Sequence, residues 1–171
     1  MLSIILTSLY FFLPAYFANM APILFRKIPF LSFPIHEKLF GAHKTWRGLM
    51  IAPIIGTLIF FLQKLAYTYG FTSLALIDYS DFPLYFGTLL GAGAILGDLI
   101  KSYYKRKAGI APGVSWMPLD QLDFVIGAII AGFFVYVPPA EVVLILFLIS
   151  PLLHIGANLI GYYLGINKNK F

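Results

Sequence analysis

The stretch that decides the fold occupies residues 82–107 and reads FPLYFGTLLGAGAILGDLIKSYYKRK. As far as Gly97 it carries no charged side chain, which is typical of a helix that crosses a hydrocarbon core about 30 Å thick. From Asp98 onward the sequence becomes charged, so we predict a membrane-spanning helix that ends at a polar surface. Small residues recur four apart along it, a spacing that lets membrane helices pack closely: Gly87 and Gly91, Gly93 and Gly97.

The composition of the whole chain also indicates a membrane protein. Of its 171 residues, 60% are hydrophobic and 11% are charged, against about 45–50% and 25% in soluble domains. These values exclude a soluble globular domain and a disordered chain. The chain has no cysteine, which excludes a disulfide-stapled module and a cysteine-ligated metal site.

Uncharged stretches recur along the chain and predict an all-α, polytopic membrane protein with five transmembrane helices. At a rise of about 1.5 Å per residue, each stretch is long enough for a helix that crosses the bilayer. The predicted spans cover about residues 2–25, 48–69, 82–104, 121–138 and 142–165. The chain has no internal repeat and no low-complexity tract, and we expect residues 1–171 to form a single integral-membrane domain.

The distribution of basic residues predicts the orientation of the bundle. Of the twelve Lys and Arg residues, eleven lie on one side, namely Arg26, Lys27, Lys38, Lys44, Arg47, Lys101, Lys105, Arg106, Lys107, Lys168 and Lys170. The opposite connections hold Asp78, Asp81 and Glu141 with only Lys64 nearby. The positive-inside rule therefore places the N-terminus outside and the C-terminus in the cytoplasm. The net charge of +5 is explained by this topology at a cell membrane, and we predict no nucleic-acid partner.

A first carboxylate, Asp98, lies near the predicted cytoplasmic boundary of the hydrocarbon. An unpaired charge there costs roughly 2.5–3.5 kcal/mol on insertion scales, so it needs a partner. If the helix continues, Lys101, Ser102 and Lys105 follow at helical spacing and share its face. The pattern has two interpretations, an inert ion pair at a helix end or one wall of a charged site.

Two further acids, Asp120 and Asp123, stand at the start of the fourth predicted span. We expect one of them to serve as an ordinary helix N-cap, which leaves the other unexplained. Three carboxylates beside a cluster of Lys and Arg are typical of a site for a divalent cation and a polyphosphate. Mg²⁺ takes one or two carboxylates and leaves its other positions to phosphate and water, while the basic side chains neutralise the remaining charge.

Residues 41–48 read GAHKTWRG and lead directly into the second span. Lys44, Thr45 and Arg47 at a helix N-terminus predict an anion site, although Lys, Arg and Trp are also ordinary anchors at a membrane interface.

Polar residues inside the predicted spans should face the interior of the bundle. They are Asn19 in the first span, and His154 and Asn158 in the fifth. Interhelical hydrogen bonding is favoured for them over direct catalysis.

Two motifs resemble those of a known enzyme family. Residues 97–106 (GDLIKSYYKR), a following Pro-Gly, and then Asp120 and Asp123 resemble the signature of the CTP-dependent phosphatidate cytidylyltransferases. Residues 43–48 (HKTWRG) resemble the upstream Lys-Thr-x-x-Gly element of that superfamily. The short chain and the spelling of this second motif are closer to the archaeal CDP-archaeol synthases.

The resemblance covers residues 19–165 and has two departures. Val114–Pro118 stand where bacterial and eukaryotic members have His-Gly-Gly, and Gln121 stands where they have Arg. These departures bear on the identity of the lipid more than on the type of reaction.

The resemblance implies cytidylyl transfer, in which the phosphate of an unsaturated archaeal ether lipid attacks the α-phosphorus of CTP and pyrophosphate leaves with Mg²⁺. A phosphate monoester is already mostly dianionic at pH 7, so no side-chain base is needed. The implied metal ligands are Asp98 and Asp120, with Asp123 as second choice, and the implied catalytic residues are Asp98, Lys101, Lys105 and Asp120. The implied contacts to CTP or lipid phosphates are His43, Lys44, Thr45, Arg47, Lys101, Ser102, Lys105 and Arg106.

Because the lipid tails must stay in hydrocarbon, we expect the pocket to open sideways between helices, near Pro14, Pro22 or Pro53. One alternative is a CDP-diacylglycerol synthase acting on ester lipids. Two others are a small ion or proton permease, which requires a polar path through the bilayer, and a purely structural subunit. The sequence is compatible with a homo-oligomer.

Overall fold

The computed structural model describes residues 2–111 and 114–163. In these ranges the chain forms seven helices: α1 (Leu2–Phe11), α2 (Leu13–Leu24), α3 (Glu37–Phe40), α4 (Trp46–Thr68), α5 (Tyr85–Lys107), α6 (Leu119–Gly132) and α7 (Ala140–Tyr163). The only β pairing there is an isolated antiparallel bridge between Pro34 and Thr45. The all-α class is therefore confirmed for the described residues.

The first predicted span is bent by 51° between α1 and α2. Pro14 in the first turn of α2 has no N–H, so the carbonyl of Tyr10 lacks its intrahelical donor. Gln63 of α4 donates its Nε2 hydrogen to that carbonyl at 2.5 Å. A side chain from a neighbouring helix thus stabilises the bend.

Helix α5 packs between α4 and α6 at distances that only glycine permits. A Cβ added to Gly91 would lie 2.6 Å from the carbonyl oxygen of Ala52 in α4. A Cβ on Gly97 would overlap the carbonyl oxygen of Asp123 in α6. The predicted role of these small residues in helix packing is confirmed, since the other two predicted positions, Gly87 and Gly93, pack equally closely.

By length and composition, α4 and α7 are candidate membrane spans, and the bent α1–α2 pair makes a third if it counts as one span. Helix α7 exposes a strongly apolar face, on which Leu148 and Leu152 are 72% and 68% exposed. The structure therefore has the surface of a membrane protein, because lipid is the solvent that such a face requires.

The predicted boundaries of the third and fourth spans differ from the structure. Helix α5 covers Tyr85–Lys107 and lies three residues later at each end than the predicted 82–104. Helix α6 has 14 residues and ends at Gly132, so the predicted span 121–138 is helical only in its first part. At the end of that predicted span Val137 precedes Pro138 and Pro139, and a residue before proline avoids helical backbone angles. Helix α7 begins directly after Pro139, and the end of its predicted span lies outside the described residues.

Lys64 binds the end of α4 to the connection before α5. Its ammonium group donates to the carbonyl oxygens of Tyr79, Ser80 and Phe82 at 2.7, 3.0 and 2.6 Å. The Tyr79 side chain is fully buried beneath this loop. Lys64 is the one basic residue that the sequence placed at the predicted outer end of the bundle, and its role there is to hold this connection against α4.

Candidate active site

Most of the predicted site residues line one cavity of about 710 Å³. It lies where α2, α5, α6 and α7 meet the connection between α2 and α4. The predicted residues that line it are His43, Lys44, Thr45, Arg47, Asp98, Lys101, Lys105, Asp120 and Asp123. Residues from three separate parts of the sequence are therefore brought to one place.

The centre of the site is the ammonium group of Lys101. Its Nζ lies 2.9 Å from Asp120 Oδ1, 3.0 Å from Asp123 Oδ2 and 3.3 Å from Asp98 Oδ1. The side chains of Lys101 and Asp123 are 15% and 5% exposed, so these ion pairs are largely shielded from water. One cation on α5 therefore joins two carboxylates of α6 to one of its own helix.

A second lysine of α5 fixes Asp120. Lys105 Nζ lies 2.8 and 3.1 Å from the two carboxylate oxygens of Asp120, and the backbone N–H of Trp116 donates to Oδ2 at 2.5 Å. Three donors to one carboxylate hold it in a defined orientation.

The expectation that Asp120 or Asp123 caps α6 is wrong. The N-cap residue is Pro118, and no side chain caps the helix. Asp123 lies one turn inside α6 and accepts from the N–H of Phe124 at 2.6 Å. Both carboxylates therefore turn toward the lysines of α5, because the close α5–α6 packing brings these charges together.

The connection between α2 and α4 folds back on itself and presents Lys44. The N–H of Ile35 donates to the Lys44 carbonyl at 2.8 Å, and Thr45 caps α4 by accepting from the N–H of Gly48 at 3.3 Å. The ring of Phe40 packs against Tyr103 of α5, with centroids 6.3 Å apart. Lys44 pairs with Asp98 of α5. Because Thr45 is the N-cap of α4, the predicted position of Lys44, Thr45 and Arg47 at a helix N-terminus is confirmed.

Two predicted phosphate ligands do not line the cavity. The hydroxyl of Ser102 donates to the Asp98 carbonyl one turn earlier in α5 at 2.8 Å, and its side chain is buried. Serine commonly bonds its own helix in this way. Arg106 lies beyond the residues that form the cavity wall. The geometry thus does not bring Ser102 or Arg106 to the site.

Another part of the cavity wall is neutral and polar. It is formed by Asn19 of α2 with His154 and Asn158 of α7, which confirms that these side chains face the interior. The His154 ring packs edge-on against Phe124, with centroids 6.0 Å apart, and its buried Nδ1 has no hydrogen-bond partner among the described residues. These residues line the cavity itself, and the expectation that they serve in interhelical hydrogen bonds rather than in direct catalysis stays a prediction.

Four other polar residues of the wall were not selected as site residues from the sequence. They are Arg26, Ser32, Ser115 and Gln121. The sequence did contain an indication that Gln121 belongs to the site, because this residue stands where the cytidylyltransferase signature has arginine. The two serines lie in irregular connections without a motif, and only the fold brings them to the cavity.

The backbones of α2 and α7 do not approach each other, and we call the space between these two helices the α2–α7 gap. Among the described helices, the backbone of α7 approaches only α1 and α6. A side-chain hydrogen bond at 2.7 Å joins the hydroxyls of Tyr16 in α2 and Ser150 in α7. Asn19 and His154 follow these residues along their helices and line the cavity, so the cavity lies beside this gap.

The three carboxylates suit a divalent cation by chemistry, because they supply hard oxygen ligands. In the described ranges, however, no three His, Asp or Glu side chains lie close enough together to hold a metal ion as they stand. The carboxylates surround the Lys101 ammonium instead. The donor set fits Mg²⁺, provided that the ammonium group moves away.

The fold and the cavity define a helical membrane protein with a shielded charged site beside a gap between its helices. Comparison with known proteins specifies the family: the model described as CarS-like, CDP-archaeol synthase, matches residues 1–171. The chain therefore belongs to the CDP-archaeol synthase family, which confirms the resemblance.

Individual relatives agree with this assignment. The chain is 38% identical to the CDP-archaeol synthase of Pyrococcus furiosus over 162 residues, covering 92% of this chain and 93% of that one. It is 33% identical to that of Methanocaldococcus jannaschii over 178 residues, covering 95% of each chain. It also resembles a solved structure described as an intramembrane enzyme for archaeal membrane lipids biosynthesis. The TM-score is 0.67 at 28% identity, covering 88% of this chain and 91% of that one.

Proposed function

We propose that this protein is a membrane cytidylyltransferase that transfers CMP from CTP to the phosphate of an unsaturated archaeal ether lipid, giving CDP-archaeol and pyrophosphate. Its family membership supports the reaction. The observation that carries the proposal is the cavity in which Lys44, Lys101 and Lys105 meet Asp98, Asp120 and Asp123. Such a charged set suits phosphate transfer, which depends on positioning and charge neutralisation.

The basic side chains would bind the phosphates. Lys44 and Arg47 reach the cavity from the start of α4, and Lys101 and Lys105 reach it from α5, so a triphosphate there would meet positive charge from two separate elements. The lipid phosphate is already mostly dianionic at neutral pH and can attack without a protein base. The task of the protein is to align it with the α-phosphorus and to exclude water.

Asp98 and Asp120 would hold a Mg²⁺ ion, with Asp123 as second choice. Bound there, the ion supplies charge neutralisation for the leaving pyrophosphate. The support is the convergence of three carboxylates on one point from two tightly packed helices.

The proposed topology has five spans, with the N-terminus outside and the active site facing the cytoplasm. In this topology the bent α1–α2 pair is the first span and α4 is the second. Helix α5 is the third span, α6 with the turn that follows it is the fourth, and α7 is the fifth. The excess of basic residues at the cavity end supports the orientation, while Asp78 and Asp81 lie at the other end of α4.

The lipid would enter through the gap between α2 and α7. Its charged phosphate belongs at headgroup depth, and its chains must remain in hydrocarbon. Ile23 of α2 and Ile155 of α7 line the cavity, and both offer apolar surface to the chains. The neutral wall of Asn19, His154 and Asn158 would then contact the lipid headgroup.

The direct test uses purified protein in detergent with CTP, Mg²⁺ and either an unsaturated ether lipid phosphate or phosphatidic acid. We expect CDP-lipid and pyrophosphate in equal amounts with the ether substrate. Faster turnover of phosphatidic acid would instead assign a CDP-diacylglycerol synthase. If no nucleotide is consumed with either lipid and CTP does not raise the thermal stability, the proposed reaction is wrong.

A further inference from the structure

We propose that Lys101 is a resident counter-ion that keeps the metal position closed until CTP binds. The inference rests on the proposed cytidylyl transfer, since it concerns the order in which CTP and the divalent cation enter that site. It starts from one observation: a single ammonium group contacts carboxylate oxygens of Asp98, Asp120 and Asp123. These are the groups expected to ligate the metal.

The three carboxylates of the site are matched by three lysines without a metal. Asp98, Asp120 and Asp123 face Lys44, Lys101 and Lys105 in five ion pairs. The six side chains are between 5% and 25% exposed. Arg26 and Arg47 also line the cavity, so a divalent cation added to this set would bring two more positive charges to a site where the lysines already match the carboxylates, which is unfavourable.

The geometry leads to the same conclusion. Mg²⁺ requires oxygen ligands at about 2.0–2.1 Å, whereas the carboxylates stand 2.9–3.3 Å from Lys101 Nζ. The carboxylates can therefore close around a metal only after the ammonium group has left. Lysine suits such an exchange, because its ammonium group ends a flexible four-carbon stem.

CTP supplies the reason for Lys101 to leave. Its triphosphate offers the ammonium group another anionic partner in the same cavity, and the released carboxylates then carry the negative charge that attracts a divalent cation. CTP and Mg²⁺ should therefore bind with positive coupling. By linkage, each should raise the affinity for the other by the same factor.

The test measures metal binding without CTP and without lipid. Thermal unfolding in detergent is followed against MgCl₂ and MnCl₂ concentration for the wild type and Lys101→Met. The substitution should lower the apparent Kd for both metals by at least about tenfold, because it removes a unit positive charge at the metal position. Lys107→Met is the matched control, since it removes the same charge from an exposed position at the end of α5, and it should bind metal as the wild type does.

Two further arms keep the result interpretable. Adding Asp123→Asn to Lys101→Met should reverse the gain, because a carboxylate ligand is lost. Adding CTP should raise the metal affinity of the wild type and change that of Lys101→Met much less. If Lys101→Met does not fold, Lys101→Gln replaces it, and Mn²⁺ electron paramagnetic resonance replaces the thermal readout.

The proposal is overturned if the wild type binds metal alone as tightly as the Lys101 variant does, even when it transfers CMP normally. It is equally overturned if neither Lys101 variant gains affinity. If Lys101→Met gains metal affinity but the wild type does not turn over CTP, Lys101 remains a counter-ion at the metal position and the proposed cytidylyl transfer is wrong. The two failures are thus distinguishable.

Discussion

At the scale of single residues, each carboxylate of the cavity has a different environment. Asp98 bonds Lys44 and Lys101, Asp120 is held by Lys101, Lys105 and the Trp116 amide, and Asp123 is the most buried at 5% exposed. Substituting the more accessible carboxylates should therefore change metal binding more than it changes folding. Asp98 and Asp120 are the informative positions, because both are more accessible from the cavity than Asp123.

We expect Asp98→Asn and Asp120→Asn each to reduce CMP transfer by at least about 100-fold. Asparagine keeps the shape of the side chain but loses the charge that a metal and the lysines require. Turnover is measured at saturating and at limiting Mg²⁺, with far-ultraviolet circular dichroism to verify the fold. Asp81→Asn, which removes an exposed acid at the opposite end of α4, serves as the control. Wild-type turnover of either variant at limiting Mg²⁺ would remove that residue from the metal site.

At the scale of elements, the pairing of α5 with α6 positions the chemistry. Gly97 packs its backbone against the carbonyl of Asp123, and Gly127 of α6 packs against Gly93 and Gly97 in return. Any side chain at these glycines would push the helices apart. The carboxylates of α6 would then move away from Lys101.

We therefore expect Gly97→Ala to destabilise the protein by about 1–3 kcal/mol, the range typical of overpacking, and to lower turnover of the folded fraction. The control is Gly156→Ala in α7, where an added Cβ meets no atom within 4 Å. That substitution should be neutral or stabilising by about 0.5–1 kcal/mol. Thermal unfolding and turnover per folded molecule are the two measurements. Equal effects of both substitutions would contradict the role of close packing.

At the scale of the whole molecule, the topology decides which substrates can meet. The proposed orientation puts the cavity on the cytoplasmic side, where CTP is available, and opens it sideways to the inner leaflet. Both features can be tested without knowing the lipid.

The chain has no cysteine, so single cysteines can be introduced and labelled from outside intact cells. A cysteine at Lys107 or Ala42 should be protected from an impermeant maleimide, and one at Asp78 or Tyr69 should react. Cells opened with detergent provide the control, because all four positions should then be labelled. Labelling at position 107 in intact cells would reverse the proposed orientation.

The lateral opening predicts a selective defect. Ile155→Trp narrows the gap between α2 and α7 and should lower kcat/KM for the lipid by about tenfold or more, while stabilisation by CTP with Mg²⁺ stays unchanged. Leu152→Trp is the matched control, since Leu152 faces outward from the same helix with 68% exposure. If CTP binding and lipid use decline together in Ile155→Trp, entry through this gap is wrong.

The local sequence was sufficient for the all-α class, the membrane character and most of the charged residues that line the cavity. Membrane helices follow from the length of apolar runs, which is a local property, and α4 begins and ends within two residues of its prediction. The face shared by Asp98, Lys101 and Lys105 follows from the helical repeat. Nine of the eleven predicted site residues line the cavity. The helical repeat and the joint resemblance of the two motifs to those of one enzyme family both pointed to them.

The tertiary structure alone decided how these residues interact. The single ammonium group between three carboxylates depends on the contact of α5 with α6, which the Gly97–Asp123 approach sets. The bend after α1 is stabilised by Gln63, which lies far along the chain. Ser102 and Arg106 belong to the motif but do not line the cavity. His154 belongs to no motif, yet it lines the cavity. The physical reason is that helix formation depends on neighbours in sequence, whereas a binding site depends on which faces of separate helices pack against each other.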